Sequence, residues 1–263
     1  MGPTRQPRSI FITGAAAGIG RATAERFARE GWFVGLFDVD EAGLQSLAAQ
    51  LQPGTCYWQR LDVTDAAAWS ATLDQFWRAA GERLDVLFNN AGIIAHGPFG
   101  EVALTTHQRI AEINFKSLMT GCHAALPYLR RTPGSRVINM ASSAAMYGQP
   151  QLVSYAASKF AVRGLTEGLD LEWEPLGIRV MDVWPLFVQT AMVKGVDIPS
   201  LRAMGVKLTP DDVAATIWKL AHYNGWLRRV HWPVGFQAWL TYRVSSLFPD
   251  WLVRWINRLI ATQ

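Results

Sequence analysis

Short, almost wholly apolar runs alternate along this chain with longer stretches in which apolar residues return every three or four positions. The runs at 9–13, 33–37, 56–60, 84–89, 135–140 and 178–184 predict strands, and unbroken apolar runs of that length suit a sheet covered on both faces. The stretches at 19–30, 41–50, 66–80, 105–130 and 153–174 predict helices, closed by stops such as Gly31, Pro133 and Pro175. Strand then helix, repeated, predicts an α/β fold with a doubly wound parallel sheet and helices on both faces. Thr209 before Pro210 marks the start of one more helix over 209–224, and a seventh strand is expected at 229–232. No linker or repeat divides the pattern, so a single domain is expected over 1–263, its end from about residue 225 forming a tail of different character.

Composition narrows the class. The 263 residues permit a sizeable core, and with half of them hydrophobic and 17% charged the chain is not a disordered one. Cys56 and Cys122 have no Cys-x-x-Cys or histidine partner and are expected to be reduced, buried thiols. His107, His123, His222 and His231 show no ligand spacing, so no metal is expected. The opening residues lead straight into the first strand with no leader-like apolar stretch, and no run of about 18 apolar residues follows, which predicts a cytoplasmic protein. The net charge of +4 is concentrated: from Tyr223 onward Arg228, Arg229, Arg243, Arg254 and Arg258 stand against Asp250 alone.

The first predicted strand runs into Thr13-Gly14-Ala15-Ala16-Ala17-Gly18-Ile19-Gly20 and then a helix, the place where a parallel sheet of Rossmann type receives a pyrophosphate on backbone N–H groups. The second strand ends at Asp38, whose carboxylate can accept hydrogen bonds from ribose hydroxyls and would repel a 2′-phosphate. No basic residue occupies Ala15, Ala16 or Ala17 to offset it, so NAD is expected in preference to NADP. Arg21, at the helix start, is read as a solvated surface charge rather than as a phosphate ligand.

The Thr-Gly-x-x-x-Gly-x-Gly spacing resembles that of the short-chain dehydrogenase/reductase family. The resemblance extends to Asp62-Val63, a pair implied to lie along the adenine ring, and to Asn89-Asn90-Ala91-Gly92 after the fourth strand, although a helix cap and a turn would explain the same residues. The implied cofactor site is therefore Gly14, Ala17, Gly18, Ile19, Gly20, Asp38, Asp62, Val63, Asn90, Tyr155, Lys159, Val188 and Thr190.

Tyr155 and Lys159 lie four residues apart on one helical face, where the ammonium and a cationic nicotinamide would both favour ionisation of a phenol that is otherwise a poor base at neutral pH. Ser142 matches the family serine that bonds the substrate oxygen, with Ser143 as a less fitting substitute. Asn114 matches the asparagine implied to hold a water in a relay from Lys159. Asn114, Ser142, Tyr155 and Lys159 thus resemble the whole catalytic set, implying hydride transfer between an alcohol or ketone and the cofactor with Tyr155 as general acid and base. One position departs from the pattern: Leu186 follows Pro185 where the family has glycine, and it either alters the backbone there, fills the substrate pocket or is merely tolerated.

The segments 93–96, 144–147 and 187–204 should line the substrate side, with Ile94, His96, Met146, Phe187 and Met192 as wall residues; a lipophilic secondary alcohol or ketone is the expected substrate. His96 has no necessary chemical task and fits a wall or a surface equally. The tail carries five of the twelve tryptophans and, from Asp250, an amphipathic helix with Trp251, Leu252, Trp255, Ile256, Leu259 and Ile260 on one face and Arg254 and Arg258 on the other. Peripheral membrane contact through 249–263 and packing on a neighbouring subunit both account for it, since the resemblance implies a homodimer or homotetramer. Nucleic-acid binding is disfavoured because the arginines form no continuous stripe. The competing function is a catalytically idle protein of this fold that acts through its tail.

Overall fold

The computed structural model describes residues 6–196, 198–245 and 249–261. The opening five residues, on which the expectation of no leader partly rests, lie outside it, as do Asp197 and the side chains of Ile256, Leu259 and Ile260 from the expected tail face. Seven parallel strands form one sheet in the order β3-β2-β1-β4-β5-β6-β7. They are β1 (Ser9–Thr13), β2 (Phe33–Asp38), β3 (Cys56–Arg60), β4 (Val86–Asn89), β5 (Arg136–Met140), β6 (Arg179–Trp184) and β7 (His231–Pro233).

Strand alternation divides the core into two layers. Ile10, Ile12, Val34, Leu36 and Phe88 point to one face, against Phe27 of α1 (Gly18–Arg29), Leu44 and Leu47 of α2 (Glu41–Ala48), and Val213, Ile217 and Leu220 of α8 (Pro210–Ala221). Phe11, Phe37, Leu87, Val137 and Val180 point to the other, against Trp69, Leu73 and Phe76 of α3 (Ala66–Ala79), Leu118 and Leu129 of α5 (Ser117–Arg131), and Val162 of α6 (Val153–Trp173). Thr209 caps α8 through the N–H of Asp212, and Asp212 bonds back to the Thr209 N–H, so both donors at that helix start are satisfied.

Three expectations need correcting. The edge strand β3 has a neighbour on one side only, so its residues are half-buried or exposed and Cys56 is not a buried thiol; Cys122 is, and burial pushes it up to about 12. The helix expected over 105–130 is α4 (Leu104–Ala111) and α5, joined by a π-turn at Glu112–Lys116 that carries Asn114. The last strand lies further along than 229–232: Arg228 is drawn to the Asp170 carboxylate at 2.7 Å, and Pro233, lacking an N–H, is accommodated on an edge strand. Two helices follow β7, α9 (Phe236–Ser245) and α10 (Asp250–Ala261), and α10 packs on the short α7 (Pro199–Met204).

Candidate active site

The sheet reverses its winding between β1 and β4, and the crevice at the carboxyl ends of strands beside such a point is where open α/β sheets bind ligands. A cavity of about 340 Å³ lies there. Its floor is the turn between β1 and α1, tied to the turn after β4 from both sides. Thr13 Oγ1 accepts from the Asn90 and Ala91 N–H groups at 3.0 and 3.1 Å, and Asn90 Nδ2 donates to the carbonyls of Thr13 and Gly14 at 2.9 and 3.0 Å. The packing leaves no room for side chains. A Cβ on Gly20 would sit 2.0 Å from the Gly14 carbonyl oxygen, and Gly14 itself has φ +66°.

These residues fit a dinucleotide. Ala17, which precedes α1, offers no side-chain cap, so the first-turn N–H groups are left for an external anion. Asp38 is in the cavity wall, each carboxylate oxygen holding one backbone N–H, from Ala16 and from Asp40, with acceptor capacity to spare. Arg21 is held away by Glu25 at 2.9 Å and Gln50 at 2.9 Å.

Across the cavity stand Ser142, at the end of β5, and Tyr155 and Lys159 on α6. Ser142 Oγ accepts from the Ala144 N–H at 3.1 Å, lies 3.5 Å from the Pro185 carbonyl and lines the same cavity as Tyr155. Lys159 is 3% exposed, donates to the Met140 carbonyl at 2.8 Å and lies 5.5 Å from the centre of the Tyr155 ring. Burial pushes Tyr155 above its ordinary value, only partly offset by Ser142, and burial pulls Lys159 down to about 8. Burial penalises the charged form of each group, and the positive charge of an oxidised nicotinamide, counted with the ammonium in the expectation, is the further influence that would favour phenolate.

Fourteen of the expected residues meet at this cavity: Gly14, Ala17, Gly18, Ile19, Asp38, Asn90, Ile94, Ser142, Tyr155, Lys159, Phe187, Val188, Thr190 and Met192. Others do not reach its walls. Gly20 serves the floor from behind. Asp62 binds the N–H and hydroxyl of Thr64, which hold its carboxyl below the usual range, and Val63 is buried with its carbonyl on the Trp69 indole. His96 is exposed, and Met146 packs into the core beside α6. Asn114 spends its amide on the N–H and carbonyl of Ile93, at 2.8 and 2.9 Å, and on Ser158, so its side chain fixes the 92–94 wall.

Sequence reasoning missed Gln149 and Leu152, which line the cavity just before α6; Gln149 is buried with its amide on the Tyr147 hydroxyl at 3.1 Å. Neither carries a periodic or motif signal. Leu186, at the position that departs from the family pattern, lines the cavity. Lys194 and Arg202 are exposed outside it, leaving Asp38 and Lys159 as its charged walls.

A Rossmann-type sheet with a glycine turn at one end of this crevice and a serine, tyrosine and lysine at the other defines a nucleotide-dependent oxidoreductase of the short-chain class. A family model described as short chain dehydrogenase matches residues 8–199, and the chain belongs to that family. Among its relatives, D-threitol dehydrogenase of Mycolicibacterium smegmatis is 34% identical over 80% of this chain and 84% of its own. The 3-alpha-(or 20-beta)-hydroxysteroid dehydrogenase of Mycobacterium tuberculosis is 35% identical over 80% of this chain and 81% of its own. Solved structures agree: 3-ketoacyl-(acyl-carrier-protein) reductase of Brucella melitensis, complexed with NADH, superposes with a TM-score of 0.80 at 26% identity, covering 86% of this chain and 96% of that one. A short chain dehydrogenase/reductase of Burkholderia phymatum in complex with NAD gives a TM-score of 0.80 at 27% identity, covering 90% and 92%.

Proposed function

We propose that the protein interconverts a lipophilic secondary alcohol and its ketone, using NAD in preference to NADP, with Tyr155 as the proton-transferring group. The observation that carries this is the meeting, in one cavity, of Ser142 and Tyr155 with Lys159 buried beside them. When bound, the oxidised nicotinamide supplies the hydride acceptor and a positive charge in the same cavity. The chain's own residues do the rest.

Ser142, anchored by the Ala144 N–H, orients the substrate oxygen and steadies its developing charge. Tyr155 takes the alcohol proton on its phenol oxygen in oxidation and returns it in reduction. Lys159 is close enough to the phenol for its charge to stabilise a phenolate once a further cation offsets the burial that now opposes both groups. Ile94, Leu152, Leu186, Phe187 and Met192 line the reacting end with apolar surface, which favours a neutral, lipophilic substrate. The relatives named for threitol, hydroxysteroid and cyclopentanol oxidation support alcohols as the substrate class. Asp38, with Arg21 turned away to Glu25, supports NAD.

A panel of short alcohols, long-chain alcohols, sterols and terpenoids, followed by NADH absorbance, tests the reading. Tyr155→Phe should retain NADH binding and lose roughly a hundredfold or more of turnover, the scale of general acid–base catalysis. Turnover near that of the parent would sink the role given to Tyr155, and NAD binding without oxidation of any alcohol or reduction of any ketone would sink the reaction.

A further inference from the structure

The exposed faces of the last two helices share one pattern. On α9, Phe236, Trp239, Leu240 and Arg243 follow the spacing i, i+3, i+4, i+7, a single helical face, and all four are exposed. On α10, Trp251, Arg254, Trp255 and Arg258 repeat that spacing and are likewise exposed. Phe236 leaves 73% of its surface in water, Trp251 69% and Trp255 56%. Phe236 stacks on Trp239 at 6.0 Å, and the Arg243 guanidinium lies 5.8 Å from the Trp239 ring. On α10 the neighbouring Leu252 and Val253 are half-buried where the helix packs near α7, so the Trp-Arg stripe is not its packing face. This corrects the expected division of α10, in which tryptophans and arginines took opposite sides.

We propose that these two faces seat the protein on an anionic lipid surface, with α10 lying in the headgroup plane. Tryptophan sits best where one part of the ring is apolar and the rest wet, and arginine can lay its stem beside it while the guanidinium reaches a phosphate. Charge decides between a lipid surface and a second copy of the chain. Arg243, Arg254 and Arg258 are the charged residues of these two faces, so a two-fold contact through them would set a basic patch against itself, whereas an anionic surface complements it. No described helix is long and apolar enough to cross a membrane, and seating on the surface does not require one. The proposal does not depend on which reaction the cavity performs.

Flotation of the full-length protein with vesicles of phosphatidylcholine alone, and of phosphatidylcholine mixed with phosphatidylglycerol, tests it. Protein should float with the mixed vesicles and stay behind with the neutral ones, and added salt should weaken the association. Arg254→Gln with Arg258→Gln should weaken partitioning about 30-fold, from two charges near an anionic surface. Trp251→Ser with Trp255→Ser should abolish flotation while the circular dichroism spectrum and melting midpoint stay those of the parent. Failure to float with the mixed vesicles overturns the proposal, as does undiminished flotation of both double variants. Light scattering that shows an oligomer dissolved by the tryptophan pair, in a protein that does not float, would assign the faces to a second copy instead.

Discussion

Lys159 allows the cost of building this site to be measured. Its ammonium is buried and held down to about 8, against an ordinary value of 10.5. Between those two pH values the unfolded chain carries a proton that the folded chain has released, so stability must rise as pH rises through that window. A span of about 2.5 pH units corresponds to about 3 kcal/mol, of which about 2 kcal/mol is recovered between pH 7 and pH 9.5. Lys159→Met removes this titration and keeps an apolar stem of similar length. It also forfeits a charged hydrogen bond to the Met140 carbonyl, worth about 1.5–3 kcal/mol, so the variant should be near the parent in stability at pH 7 and fall behind it as pH rises. Urea unfolding of both proteins at the two pH values, without cofactor, measures the difference. Cys122 and the tyrosines titrate in both and cancel. Parallel pH dependence in the two proteins would refute the reasoning, because a lysine that keeps its proton to pH 10 is not desolvated.

Other consequences follow from single contacts. Gly20→Ala places a Cβ within 2.0 Å of the Gly14 carbonyl oxygen, and NADH titration should show at least roughly tenfold weaker binding, as the floor of the cavity must move. Asp38→Ser removes the carboxylate from the adenosine end and should raise kcat/KM with NADP relative to NAD by roughly tenfold or more; an unchanged ratio would remove Asp38 from the selectivity argument. His231 bridges the fully buried Asp182 and the half-buried Glu167, each at 2.8 Å. Burial alone would lower this histidine, but hydrogen bonds to the two carboxylates raise it. His231→Ala should therefore cost about 3 kcal/mol, most below the ordinary histidine value of about 6.5 and less as pH rises through the folded value. Denaturation at pH 6 and pH 8.5 checks the sign, and Asp182→Asn in the same background should recover part of the loss.

Much of the fold and site is written in local pattern. Unbroken apolar runs specify strands covered on both faces, as at Ser9–Thr13 and Arg136–Met140, and a three-to-four residue return specifies the helices between them. Thr13, Gly14, Gly18, Gly20, Asn90, Ser142, Tyr155 and Lys159 are legible because each occupies a fixed place on a strand end or helix start, and such places are set by a few neighbouring residues. Packing decided the rest. His96 and Met146 lie close in sequence to residues of the cavity wall yet face solvent and core, while Gln149, Leu152 and Leu186 close the cavity without any periodic signal. The direction in which a loop side chain points depends on elements far away along the chain, and sequence spacing does not encode it. The same holds for charge: spacing brings an ammonium near a phenol, but the burial that raises Tyr155 and pulls Lys159 down to about 8 exists only once the sheet and α6 have closed around them.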